Sequence, residues 1–150
     1  MVMDHRSSSG YSCTLTLQLI GQRPPAELSA TFSYDARDPY AVRITFGSAH
    51  ASGQGAVTWL FGRDLLRAGL DRPTGDGDVR VGPTEASSDV LFLQLRAPSG
   101  EALMELSRAA LAAFVRGTET VVPFGAEGAS IDLDELAVLL CEGDTDPFGR

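Results

Sequence analysis

Lysine is absent from this chain: all twelve basic side chains are arginine, set against twenty aspartates and glutamates, for a net charge of −8. That balance works against non-specific nucleic-acid binding, because phosphates must be neutralised by basic side chains. Cysteine is scarce as well, with Cys13 and Cys141 the whole supply. Two thiols at unrelated positions make no disulfide framework, and with His5 and His50 they give no zinc-binding spacing. A reducing, cytoplasmic setting is the simpler expectation. No run approaches the eighteen or so apolar residues that a membrane-spanning helix requires. Residues 1–10 are polar and do not read as a signal peptide, so any membrane contact is expected to be indirect.

Catalytic signatures are missing in the same way. There is no Gly-x-Ser-x-Gly elbow, P-loop, His-Glu-x-x-His pair or dinucleotide fingerprint. Both histidines fall in polar, loop-like stretches, poor places for a general base. Asp71, Asp76 and Asp78 crowd one region, but without the spacing or closing glutamate of a calcium loop they read as turn residues. No catalytic residue, cofactor or metal site is expected.

What is present is a patterned chain of 150 residues, long enough for one domain that buries about 70% of its unfolded surface. A flexible arm is expected over 1–10, the domain over 11–142 and an acidic tail over 143–150. Tyr11 to Ile20 alternates Cys13, Leu15, Leu17 and Leu19 against polar neighbours, a strand with one wet face. Leu28 to Tyr34 and Tyr40 to Phe46 repeat the pattern. Residues 47–55 read as a glycine-rich loop. The next alternation, Val57, Trp59 and Phe61, ends at Gly62.

The stretch from Val57 to Val81 organises the rest. Arg63 to Gly69 reads as about one helical turn, Pro73-Thr74-Gly75-Asp76-Gly77 as a turn cluster, and Asp78 to Val81 as the next strand. Arg63, Asp64, Asp76 and Asp78 are the candidate exposed contact residues of this elbow, with Trp59, Phe61, Leu65 and Leu66 its structural supports. A strand over Val90 to Arg96 follows. Strand after strand with short connections argues for a mainly antiparallel sheet.

The main helix is expected from Pro98-Ser99-Gly100-Glu101, capped by Ser99 and ended by Gly117. Helical spacing puts Leu103, Leu106, Ala110, Ala113 and Phe114 on a core face, with Glu101, Glu105 and Arg108 toward solvent. Met104, Leu111 and Val115 form a second apolar stripe, the candidate oligomer contact; the chain's own C-terminal segment is an equal candidate to cover it. A last helix is expected from Asp132, carrying Leu133, Leu136, Ala137 and Leu140 on one face. Phe32, Tyr34, Tyr40 and Phe46 near Arg37 and Arg43 come closest to an aromatic platform for single strands.

The ordered run Asp38-Pro39-Tyr40-Ala41-Val42, Val57 to Leu66, Gly69-Leu70 and Pro73 to Val81 resembles the SsgA-like family of actinomycete sporulation and cell-division proteins. Weaker similarity continues through Pro98 to Leu103, Phe114 and Val121-Val122-Pro123. The resemblance implies an α+β fold of whirly-like type: a twisted, mainly antiparallel sheet with a main C-terminal helix and shorter helices, associating as a homotrimer. It also implies a non-enzymatic role at the division septum, positioning or activating the tubulin-like GTPase FtsZ directly or through an intermediary, together with other SsgA-like proteins. The contrasting expectation is a single-stranded nucleic-acid-binding module, since whirly-like sheets elsewhere do that work.

Overall fold

The computed structural model describes residues 4–6, 9–21, 26–47 and 57–128. Eight strands and two helices follow in the order β1 (Asp4–Arg6), β2 (Gly10–Leu19), β3 (Ala26–Asp35), β4 (Ala41–Phe46), β5 (Val57–Gly62), α1 (Arg63–Gly69), β6 (Val79–Pro83), β7 (Val90–Ala97), β8 (Gly100–Ser107) and α2 (Arg108–Val121). The strands form one sheet ordered β5-β4-β3-β2-β8-β7-β6, with β1 against β2. Every pairing is antiparallel.

Strand alternation builds the core directly. Cys13, Leu15 and Leu17 of β2 lie beside Phe32, Ala30 and Leu28 of β3, and Phe32 lies beside Ile44 of β4. Leu91, Leu93 and Leu95 of β7 and Met104 and Leu106 of β8 supply the other half of the same buried face. The β2–β8 ladder joining the halves is short: Gln18 with Glu105, Leu19 with Met104, and the Ile20 amide donating to the Leu103 carbonyl at 2.8 Å. Phe114 of α2 seals the middle, its ring 5.7 Å from that of Tyr11 and 5.5 Å, edge-on, from that of Phe32.

Three expectations need correction. The segment from Pro98 is not a helix: Pro98-Ser99 makes a hairpin turn and Gly100–Ser107 is β8, paired with β7 along its whole length. Its residues are good helix formers, yet the eight-residue ladder and the burial of Met104 and Leu106 outweigh that weak preference. The helix starts at Arg108, where the Ser107 hydroxyl accepts the Ala110 amide at 3.1 Å. Gly117 lies inside α2 rather than ending it, and a Cβ there would stand 2.3 Å from the Tyr11 ring, so close packing accounts for the glycine. Asp4–Arg6, read as part of a flexible arm, pairs with Tyr11, Ser12 and Cys13, and the Arg6 guanidinium donates to the Thr120 hydroxyl of α2. The residue 47–55 loop beyond Gly47, the helix from Asp132 and the acidic tail lie outside the described residues.

Candidate functional site

The elbow forms where alternation predicts it, and burial, backbone hydrogen bonds and one glycine hold its shape. Phe61 is buried at the end of β5, Trp59 is half-buried and Val57 is exposed, so burial deepens toward the helix. Leu66 of α1 is buried and Leu65 half-buried. Thr74 and Val81 exchange backbone hydrogen bonds of 2.8 and 3.0 Å, which folds the Pro73–Asp78 turn back against β6. Gly75 has a φ of +104° and would place a Cβ 2.3 Å from the Val79 carbonyl, so only glycine suits this turn.

Arg63 occupies the joint of this elbow and is not an exposed contact. Only 1% of it is accessible. Its guanidinium donates to the Val122 carbonyl at 2.6 Å, the Thr118 carbonyl at 3.4 Å and the Glu127 carboxylate at 2.5 Å. It also stacks 4.1 Å from the Phe124 ring centroid and 4.7 Å from that of Tyr34. Arg67 approaches the same Phe124 ring at 4.1 Å. A planar, always-charged fork suits such a mixed site: it bonds within its plane and stacks above it. The Nε hydrogen is the one buried side-chain donor or acceptor without a partner among the described residues.

The site's electrostatics follow from that fork. Hydrogen bonding from Arg63 holds the Glu127 carboxyl below its usual range, with the backbone amides of Glu127 itself and Gly125 adding to the effect. Burial pushes the Tyr34 phenol up to about 12, partly opposed by the Arg63 charge; its hydroxyl donates to the Pro39 carbonyl at 3.0 Å. A second tie runs from Arg108 to the Leu70 carbonyl and the Asp71 carboxylate, both at 2.9 Å. Arg108, expected on the solvent side of a helix, joins the start of α2 to the end of α1.

The other candidate residues divide clearly. Asp64, Asp76 and Asp78 are exposed around the elbow. Met104, Leu111 and Val115 are 2%, 0% and 5% accessible, so the supposed oligomer stripe is core within one chain. Met104 sits on β8 while Leu111 and Val115 sit on α2, and packing against the sheet consumes all three. The aromatic platform is not assembled: Phe32 and Tyr34 are buried, Arg43 lies exposed on the opposite sheet face, and Arg37 pairs with Asp35 at 2.8 Å. Among the described residues, no three His, Cys, Asp or Glu side chains gather as a metal would need. Likewise no described helix is long and apolar enough to cross a membrane.

Sequence reasoning missed Phe124 and Glu127, which complete the Arg63 cluster from the turn after α2. Their only local signal was an aromatic and an acidic residue flanking Gly125. Nothing short-range couples them to an arginine more than sixty positions earlier.

Comparison with known proteins agrees with this geometry. The family model described as Streptomyces sporulation and cell division protein SsgA matches residues 28–127. The sporulation-specific cell division protein SsgB of Streptomyces coelicolor is 43% identical over 134 residues, covering 87% of this chain and 96% of that protein. The SsgB of Frankia casuarinae is 44% identical over 121 residues, covering 79% and 82%. A crystal structure of an SsgA-like sporulation-specific cell division protein from Thermobifida fusca superposes with a TM-score of 0.75 at 35% identity, over 89% of this chain and 98% of that one. A second solved structure, reported with mutations in SsgB that correlate to longitudinal cell division during sporulation of Streptomyces coelicolor, gives 0.72 at 40% identity, over 84% and 99%. With its curled antiparallel sheet, the two helices among its described residues and these matches across nearly its whole domain, the chain belongs to the SsgA-like family of sporulation and cell-division proteins.

Proposed function

We propose that this protein is a non-enzymatic adaptor of sporulation-specific cell division. It helps to position or activate FtsZ for septum formation, directly or through an intermediary, and acts with other SsgA-like proteins. The observation that carries this reading is 43% identity across 96% of a relative named for that process. The elbow supports it by presenting Asp64, Asp76 and Asp78 exposed, with Arg63 tying the start of α1 to the segment around Val122 and Glu127. Those three carboxylates are the partner contact in this reading. The protein works in the cytoplasm at the septum, without specific nucleic acid and reaching the membrane only indirectly. It assembles as a trimer through surfaces other than Met104, Leu111 and Val115.

Co-sedimentation with FtsZ filaments assembled in GTP tests the proposal, with a single-stranded oligonucleotide shift on the same preparation. Pelleting without a shift is expected, weakened when Asp64, Asp76 and Asp78 are replaced together by alanine with melting unchanged. A shift without pelleting would sink the adaptor reading in favour of single-strand binding. Neither signal would remove the direct route to FtsZ and leave the intermediary. Equilibrium sedimentation gives the chain number, and a mass other than three chains of 15.9 kDa would refute the trimer.

A further inference from the structure

The two edges of the sheet are treated differently. The free side of β6 is closed by the Thr74–Val81 bridge, and the strand carries Arg80 and ends in Pro83. Such features protect an edge from adding further strands. The other edge, β5, has the sequence Val-Thr-Trp-Leu-Phe-Gly, with no charge and no proline. Val57 is 55% and Leu60 58% exposed.

Backbone parity identifies the open groups. The Arg63 amide donates to the Tyr40 carbonyl, so Phe61, Trp59 and Val57 also direct their backbone groups toward β4. Thr58 and Leu60 therefore point N–H and C=O away from the sheet, and neither has a backbone partner among the described residues. Beside this edge, on the core face, opens an apolar trough of about 400 Å³. Val57, Trp59 and Phe46 line one side of it, Leu95, Ala102 and Met104 the other.

We propose that β5 is an acceptor edge, to which an extended segment of a partner protein adds as a ninth, hydrogen-bonded strand. The edge supplies main-chain bonds; the trough receives every second side chain of the segment and so selects apolar ones. The remaining side chains lie on the polar outer face. There Arg43, directly across from Leu60, is exposed and has no ion pair among the described residues, so an acidic residue is expected at that position of the partner. The inference rests on the adaptor reading only in taking the ligand for a protein.

Residue-resolved hydrogen exchange on the full chain is the first test. The amides of Thr58 and Leu60 are expected to exchange fast while those of Trp59 and Phe61 are protected. Concentration-independent protection of Thr58 and Leu60 would mean that the chain closes its own edge; protection growing with concentration would mean that a second copy does. Either overturns the proposal. Panning a phage-displayed random dodecapeptide library on the protein is the second test. Enriched peptides should alternate apolar and polar residues and, as synthetic peptides, slow exchange at Thr58 and Leu60.

Leu60→Pro removes one outward donor and spares the β4 ladder, as edge positions allow. It should weaken those peptides several-fold, up to about tenfold, the loss of one hydrogen bond, with circular dichroism and melting unchanged. If that variant fails to fold, Val57→Lys, which sets a charge at the trough mouth, should have the same effect. No enrichment, or peptides that bind the folded variants as well as the wild type, would refute strand addition. FtsZ is absent from these assays, so their failure and that of the division reading are separable.

Discussion

Removing the guanidinium of Arg63 would leave the Glu127 carboxylate, the Val122 carbonyl and two aromatic faces without their shared partner. Breaking a buried pair by deleting one member costs about 3–5 kcal/mol, so Arg63→Ala should lower stability by that much in urea unfolding. Arg63→Lys should recover only part, since an ammonium cannot stack on rings and fork between acceptors together. Glu127→Gln keeps the shape and removes the charge, at about 1–3 kcal/mol. The pH dependence has a definite sign. Glu127 is held below its unfolded value of about 4.3, so its contribution is present above that pH and fades as pH falls through the lower, folded value. Wild type should therefore lose more stability than Glu127→Gln between about pH 5 and the acid transition; equal slopes would mean that the pair is not linked to folding. In sequence, Arg63 beside Asp64 looked like a solvated helix start. Its burial depends on groups from Thr118 to Glu127, which no local pattern could reveal.

At the scale of elements, period-two patterning was reliable wherever one face meets the core. The strands containing Cys13, Phe32, Ile44, Phe61, Val81 and Leu93 all stand where alternation put them. It failed where two periods fit one stretch. Ala102, Met104 and Leu106 alternate as a strand, while Leu103, Leu106 and Ala110 fit a helix, and the run is rich in helix formers. Pairing with β7 decided the matter, and that pairing is tertiary. The two capping assignments give opposite predictions. Ser107→Ala should cost about 1 kcal/mol through the lost Ala110 amide bond, whereas Ser99→Ala, in an exposed hairpin turn, should change stability by less than about 0.5 kcal/mol. Thermal melts of the two variants would reverse in order if the helix began at Ser99. Gly117→Ala is a second check on α2. In an ordinary helix interior it would stabilise by about 1 kcal/mol; against the Tyr11 ring it should destabilise, and Tyr11→Ala should relieve the cost.

The described residues form a sheet in two parts, joined by the short β2–β8 ladder and packed beneath α2, with α1 running from edge strand β5 toward edge strand β6. Strand existence was legible from sequence. Strand order was not, because β8 read as a helix and the junction of the two parts runs through it. The candidate site was half legible: the elbow forms where expected and Asp64, Asp76 and Asp78 are exposed, but Arg63 and the stripe of Met104, Leu111 and Val115 are buried. Burial in this common core also fixes the alkaline behaviour. Desolvation raises the Cys13 thiol from 9.0 to about 11 and the Tyr34 phenol from 10.0 to about 12, and raises Tyr11 in the same direction. Folding thus favours the neutral forms. Up to about pH 8.5 these groups are largely neutral in both states and stability is undiminished. Above it the unfolded chain ionises first, so stability falls as pH rises toward the folded values. The urea midpoint should hold level to about pH 8.5 and then decline in two overlapping limbs, between 9 and 11 for Cys13 and between 10 and 12 for Tyr34, with Tyr11 acting in the same direction. Cys13→Ala should remove the first limb and move the onset toward pH 10. With Cys141 replaced by serine, Cys13 should stay inert to a thiol reagent until the sheet unfolds. Rapid labelling of the native protein at neutral pH would show that the core around Cys13 opens without global unfolding.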